Sequence, residues 1–319
     1  VEKIALGTFP TPVEKAAALG IWVKRDDLTG DVYGGNKVRK LEWFFGEAKK
    51  RGKKRILTLG AVGSHQVVAT AIYGKKHGFE VEAILVGQPA SEHARENLRV
   101  ALAQGLEATV AGAWAAAPFV VAARRTQDAY WIPLGGSSSL GSLGFVDAAR
   151  ELAAQVRAGQ VPEPDVIVVA LGSGGTAAGL AVGLESSETK TRVLAVAVSH
   201  PAPLLTMTAK RLARQTAALV GMTSENGARA ARRIEVTGSY VGRGYGHPTR
   251  AGQLAIVSAQ EAGLVVDPTY TAKALACAID RAKEKPEEIV LYWHTLSTAP
   301  LEPLAGAEEI PPRLEKLFK

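Results

Sequence analysis

Val166-Ile167-Val168-Val169-Ala170-Leu171, continued by Gly172-Ser173-Gly174-Gly175-Thr176-Ala177-Ala178-Gly179, is an unbroken aliphatic run, a glycine turn and the opening of a small-residue helix. A short apolar run without polar alternation fits a strand buried on both faces, as in a parallel sheet covered by helices. The same rhythm recurs at Arg55 to Leu59, Glu80 to Val86, Arg192 to Val198 and Glu288 to Trp293. Between these runs, helices are expected over residues 39–50, 65–77, 90–103, 142–158, 176–185, 250–261 and 271–284, with glycine stops at Gly52, Gly78 and Gly105. Strands alternating with helices predict an α/β protein with mainly parallel sheets.

A junction of strand, glycine turn and helix aims backbone N–H groups and the positive end of the helix dipole at an anion. Ser173 and Thr176 add hydroxyl donors; the other reading is a tight turn whose glycines serve packing. The spacing Gly172-x-Gly174-x-x-Ala177 also meets the loose dinucleotide fingerprint. That fingerprint wants an acid after the next strand, where the chain has Ser199-His200-Pro201. The Gly-Lys-Ser/Thr ending of a nucleoside-triphosphate loop is missing too, which leaves a lone phosphomonoester as the better fit.

Tyr33-Gly34-Gly35-Asn36-Lys37-Val38-Arg39-Lys40 sets a lysine at a glycine-loosened turn ahead of a helix. Taken alone it reads as a solvated basic turn. Paired glycines, however, allow a close backbone approach to a ligand. A lysine amine for a Schiff base together with a cradle for one phosphate is what pyridoxal phosphate requires.

Composition sets the outer bounds. The 319 residues, 47% hydrophobic and 22% charged, suffice for one large or two moderate domains and argue against disorder. A net charge of +7 is spread through mixed-sign helices without an RNA-binding or zinc-finger pattern, so no nucleic-acid partner is expected. Cys277 is the single cysteine, in an apolar helical setting, which fits a reducing compartment. No apolar run approaches the roughly twenty residues that span a bilayer, so no membrane association and a cytoplasmic location are expected. The proline-bearing stretch Gly159 to Asp165 suggests a passage between sheets, with a domain junction near residue 150.

Several separated motifs then carry a family likeness. Arg25-Asp26-Asp27-Leu28-Thr29-Gly30, Gly34 to Glu42, Gly60-Ala61-Val62-Gly63-Ser64-His65-Gln66, Gly172 to Gly179, Gly244-Tyr245-Gly246 and Asp267 to Lys273 resemble, in order, the aminocyclopropane-carboxylate deaminase and D-cysteine desulfhydrase family. The resemblance implies a fold-type II, tryptophan synthase beta-like architecture. Two three-layer α/β/α domains hold pyridoxal 5'-phosphate in the interdomain cleft, commonly in a homodimer. The expected bounds are 1–41 and 150–319 for the large cofactor-binding domain and 42–149 for the small one.

By the same resemblance Lys37 is the Schiff-base lysine and the base at Cα, a role that needs a neutral amine. Gly172, Ser173, Gly174, Gly175 and Thr176 hold the phosphate, with Asn36 and His65 beside the cofactor. Ser64, His65 and Gln66 meet the substrate carboxylate, although Ser64 also reads as a plain N-cap. Tyr245 and Tyr270 stand on the substrate side. Thr271 faces the pyridine nitrogen, where ring-opening relatives carry an acid; a neutral residue suits β-elimination better. It reads equally as an N-cap.

Two departures mark this chain. Ser64-His65-Gln66 has histidine where the family usually has asparagine, and Trp293-His294-Thr295-Leu296-Ser297-Thr298 replaces the glycines of His-Thr-Gly-Gly, which is expected to narrow or re-line the pocket. The expected activity is elimination and deamination of a small amino acid to a keto acid and ammonia. Aminocyclopropane-carboxylate deamination, β-replacement and racemisation are the rivals on the same fold. A nicotinamide-dependent oxidoreductase and a non-catalytic binding protein are those of other classes.

Overall fold

The computed structural model describes residues 2–199, 201–306 and 309–319; His200, noted above after a strand, lies outside them. The strands are β1 (Val13–Ala16), β2 (Ile21–Arg25), β3 (Arg55–Ala61), β4 (Glu80–Val86), β5 (Glu107–Gly112), β6 (Ala129–Ile132), β7 (Val166–Leu171), β8 (Arg192–Ala197), β9 (Ile234–Thr237) and β10 (Val290–His294). The helices are α1 (Asn36–Lys50), α2 (His65–Lys76), α3 (Glu92–Ala103), α4 (Ala117–Arg124), α5 (Ser139–Arg157), α6 (Gly175–Ser186), α7 (Ala202–Leu219), α8 (Ser224–Arg232), α9 (Arg250–Glu261), α10 (Thr271–Glu284) and α11 (Pro312–Glu315).

Packing divides the chain into two compact units. The smaller comprises Val1–Leu6, Leu41–Gly136 and Ala299–Lys319. Its sheet runs β5-β4-β3-β6, parallel throughout, with Arg55 level with Glu80 and Ala129. Ala83, Ile84, Leu85 and Val86 are buried in succession, so the second half of β4 has no solvent face, which is why those four residues read as a continuous apolar run.

The larger unit comprises Gly7–Lys40 and Ser137–Thr298, around a sheet ordered β1-β2-β10-β7-β8-β9. Only β1 is antiparallel to its neighbour. On one face Val166 and Val168 of β7, Val196 of β8 and Tyr292 of β10 pack with Ala274, Leu275 and Ala278 of α10 and with Ala255 and Ala259 of α9. The carboxyl ends of the parallel strands deliver Asp26, Gly172 and Thr295 to one edge, the edge at which open α/β sheets bind ligands.

This division departs from the expected bounds in three places, the first being the N-terminal stretch up to Leu6, which groups with the smaller unit. The junction falls at residue 137 rather than near 150, because α5 lies tightly along α6. A Cβ on Gly179 would stand 2.2 Å from the Ser142 carbonyl oxygen, and one on Gly183 would stand 2.5 Å from that of Val146. Residues 299–319 group with the smaller unit, where Phe318 bridges Gln88 and Glu315 meets Arg95 at 2.7 Å.

Candidate active site

The lysine loop takes its shape from the carboxyl edge of the larger sheet. A Cβ on Gly34 would lie 2.1 Å from the Asp27 carbonyl oxygen, and Gly35, at φ +81°, leaves 2.6 Å between its missing Cβ and the Thr295 carbonyl oxygen. Only glycine allows both approaches. The loop is then tied down: the Asn36 N–H donates to Thr295 O at 3.1 Å, and the Gly34 N–H donates to Ser297 Oγ at 2.8 Å. Ser297, which was expected to narrow a pocket, spends its hydroxyl on the backbone of the lysine loop.

Behind the loop stands a buried ionic network. Arg39, two residues past Lys37, donates to Asp26 at 2.7 and 2.9 Å and to Glu151 at 2.9 Å. Asp26 also accepts from Trp293 Nε1 at 2.7 Å, and Glu151 from Lys24 at 2.5 Å. Burial alone would raise the Glu151 carboxyl, but the Arg39 and Lys24 cations outweigh it and hold it at about 2. These bonds join β2, the first turn of α1, α5 and β10, fixing the turn that bears Lys37.

Burial lowers the Lys37 amine from 10.5 to about 8. Lys40, one helical turn on, is pushed well down by burial and then by the Lys37 charge. Its Nζ lies 3.1 Å from where a Cβ on Gly175 would stand, at the start of α6. Both shifts are mainly desolvation shifts, of the kind a bound anion reverses.

A glycine turn links β7 to α6. Gly174 sits at φ +97° as the N-cap of α6, a left-handed position that favours glycine. Ser173 Oγ lies 2.7 Å from Ser137 Oγ, which accepts the Gly175 N–H at 3.1 Å. Thr176 Oγ1 accepts from Asn36 Nδ2 at 3.3 Å, joining the cradle to the lysine loop. Glycine at 172 leaves room for Tyr270, whose Cε1 would be 3.2 Å from a Cβ there. A half-buried, easily neutralised amine, a fully buried lysine and a glycine turn at a helix start fit an aldehyde that carries one phosphate.

Tyr245 and Tyr270 meet edge to face, with ring centroids 5.6 Å apart. Burial raises both phenols, and a hydrogen bond joins them. Lys273 Nζ donates to the carbonyl oxygens of Val241 and Gly244 at 3.0 and 3.1 Å, holding the turn that presents Tyr245.

Thr271 opens α10 without capping it. Asp267 fills that role, its carboxyl oxygens accepting from the N–H groups of Thr269, Tyr270 and Thr271 at 2.9, 2.8 and 3.1 Å. The Thr271 hydroxyl donates to Asp267 Oδ2 at 2.6 Å and accepts the Asp267 N–H at 2.7 Å. An acid therefore does attend this position, set back by one hydroxyl. Ser137, Lys40, Asp267 and Lys273 were not singled out in the sequence. Asp267 alone carried a local signal, as an aspartate four residues ahead of a helical pattern.

In the smaller unit Ser64 is the N-cap of α2, yet its hydroxyl makes no capping hydrogen bond. His65 Nε2 lies 3.2 Å from His93 Nε2. Gln66 is buried and donates along its own helix to Thr70 Oγ1 at 2.9 Å. Cys277 is buried on α10, and burial pushes its thiol up to about 12, which removes it as a nucleophile.

A family model described as pyridoxal-phosphate dependent enzyme matches residues 4–295. A Pyrococcus furiosus protein provisionally named 1-aminocyclopropane-1-carboxylate deaminase is 35% identical over 310 residues, covering 92% of this chain and 91% of that protein. D-cysteine desulfhydrase of Klebsiella pneumoniae is 35% identical over 306 residues, with 90% and 91% covered. A crystal structure of an ACC deaminase homologue superposes with a TM-score of 0.79 at 30% identity, covering 99% of this chain and 96% of that one.

Proposed function

The chain belongs to the pyridoxal-phosphate-dependent enzymes and is a lyase of the deaminase and desulfhydrase kind, and on that premise we propose that it eliminates a Cβ substituent from a small amino acid, as D-cysteine desulfhydrase does from D-cysteine. Pyridoxal phosphate, when bound, withdraws electrons from the substrate Cα. For a three-carbon substrate bearing X at Cβ, one water is consumed and the products are pyruvate, ammonia and HX.

The observation that carries this reading is the half-buried Lys37, its amine brought to about 8 by desolvation, on a loop whose Asn36 bonds Thr176 in the first turn of α6. An amine so placed is neutral in a useful fraction near pH 8 and takes the Cα proton. Lys40, Ser173, Thr176 and the N–H group at Gly174 hold the phosphate, while Ser137 takes the Gly175 N–H and Asn36 steadies Thr176. Ser64, with a hydroxyl not spent on capping, and the first turn of α2 receive the substrate carboxylate. Gln66 supports that turn through Thr70. Tyr245 protonates the departing group, and Tyr270 orients it. Thr271, its hydroxyl already given to Asp267, meets the ring nitrogen without a carboxylate in direct contact, which favours elimination over ring opening.

A homodimer in the cytoplasm completes the reading. The exposed Leu254, Val257 and Val265 support the first, and a lone buried cysteine supports the second. Among the described residues no helix is long and apolar enough to cross a membrane.

The test is an absorbance spectrum of the purified protein and of Lys37→Ala, followed by product assays with D- and L-amino acids and with aminocyclopropane carboxylate. A pyridoxal-derived band lost in Lys37→Ala, with pyruvate released from D-cysteine, is the expected outcome. No band after added cofactor defeats the reading, and release of 2-oxobutyrate instead of pyruvate transfers it to ring opening.

A further inference from the structure

Gly63 lies between β3 and α2, one residue before Ser64, and side chains take both of its backbone polar groups. Its N–H donates to Gln88 Oε1 at 3.1 Å, and its carbonyl oxygen accepts from Asn97 Nδ2 at 3.0 Å. A peptide unit is planar, so these two bonds fix the units on either side of the Gly63 Cα. The Ser64 N–H, donating to Ala61 O at 2.9 Å, holds the second unit from its other end. The direction in which Ser64 leaves the turn is thereby set. Glycines make room for the arrangement: a Cβ on Gly63 would lie 2.4 Å from Ala94 Cβ on α3, and one on Gly60 would lie 2.9 Å from Ser64 Oγ.

The two side chains that grip Gly63 are placed differently. Gln88 is half-buried, and residues 317–319 hold its backbone: the Gln88 N–H donates to Leu317 O and its carbonyl oxygen accepts the Lys319 N–H, each at 3.0 Å. Asn97 is fully buried in α3, and among the described residues its Oδ1 finds no hydrogen-bond partner. A buried amide with an idle acceptor is a costly way to fill space, which leucine would fill without that cost. What Asn97 supplies in return is the donor to Gly63.

We propose that Gln88 and Asn97 are positioning residues for the substrate carboxylate, acting through Gly63 to hold Ser64 and the first turn of α2 in the orientation that receives it. The carboxylate rests on the function proposed above; the hold on the turn does not. Neither side chain has to touch the ligand. The Ser64 hydroxyl, unspent on capping, and the N–H groups of the helix start bind an anion well only when they are aimed beforehand. A glycine turn without these two bonds has the freedom to spread them over several directions.

The test uses the full chain as purified. In Gln88→Met, at a half-buried side chain, the Gly63 amide should exchange with deuterium about 10-fold faster or more by NMR, whereas Gln88→Glu, which still offers an acceptor, should keep it protected. Binding is then followed by the absorbance of added pyridoxal phosphate, with alanine and with alaninol, which keeps the amine and lacks the carboxylate, each in both configurations. Gln88→Met and Asn97→Leu should weaken alanine binding by about 5- to 10-fold and leave alaninol and pyridoxal phosphate binding unchanged. Gln88→Met carries the comparison if Asn97→Leu does not fold. Equal losses for alanine and alaninol, or wild-type affinity for alanine in Gln88→Met, overturn the proposal, as does a Gly63 amide that exchanges no faster without the Gln88 acceptor. A missing cofactor band would defeat the function and leave the exchange rates to decide the hold on the turn.

Discussion

Replacing Lys37 with methionine should stabilise the cofactor-free protein near neutral pH, although it removes the residue on which the chemistry depends. The amine falls from 10.5 to about 8 on folding, with burial as the cause. That gap is worth roughly 3 kcal/mol at about 1.36 kcal/mol per pH unit, an upper figure because the side chain keeps some exposure. The sign follows from proton counts. Below pH 8 the amine is charged in both states, and the folded state bears the full desolvation cost. Between 8 and 10.5 the unfolded chain holds more protons, so wild-type stability rises with pH relative to the variant. Above 10.5 the amine is neutral in both states and the two proteins should converge. Removing Lys37 also relieves Lys40, whose own shift includes the Lys37 charge. Urea unfolding of both proteins at pH 7, 9 and 10.5 is the assay. A wild type as stable as the variant at pH 7, or a difference that does not shrink with pH, refutes the desolvated amine and with it the case for Lys37 as base.

Lys40→Met should weaken pyridoxal phosphate binding by about 10- to 100-fold while leaving binding of pyridoxal, which lacks the phosphate, unchanged in equilibrium dialysis. Asp267→Ala should cost about 2 kcal/mol or more in urea unfolding, since it strips the start of α10 of its cap. Ser297→Gly should cost about 1 kcal/mol and speed hydrogen exchange at the Gly34 amide, its present donor. Glu151→Gln should flatten the acid limb of stability. With the carboxyl held at about 2 against 4.5, the wild type keeps that contribution above pH 4.5 and loses it as pH falls towards 2.

The buried parallel strands β3, β4, β7, β8 and β10 were legible because burial on both faces writes itself as a mostly aliphatic run, as at 83–86 and 166–171; β2, with Lys24 and Arg25 among its five residues, was not. The glycine turns ahead of Lys37 and at the start of α6 were legible because close approach demands glycine at fixed places. The edge strands β1, β5, β6 and β9 were not. They are short and carry exposed or half-exposed residues, and Glu14 and Lys15 in β1 read as loop. Lys24 in β2 reads as a surface lysine and is fully buried, because its partners Glu151 and Gln155 lie more than a hundred residues away. Ser137, Lys40 and Lys273 escaped for the same reason: each acts on a segment brought near by the fold. The family pattern pointed to Thr271, but only the coordinates put the Asp267 carboxyl behind its hydroxyl.

The salt-bridged knot behind the lysine has a bearing on how such a site arises and how it is transplanted. Arg39 is held at once by Asp26 and Glu151, and Asp26 by the indole of Trp293. Cutting one partner from a buried ion pair typically costs about 3–5 kcal/mol, because the remaining charge is stranded. The glycine loop with its lysine is therefore not a portable cassette. Grafted onto another parallel sheet without an acid after the second strand, a glutamate on the facing helix and a tryptophan on the strand beside it, the loop would bring its arginine as an unpaired cation. The lysine would then lose its aim before it met any cofactor.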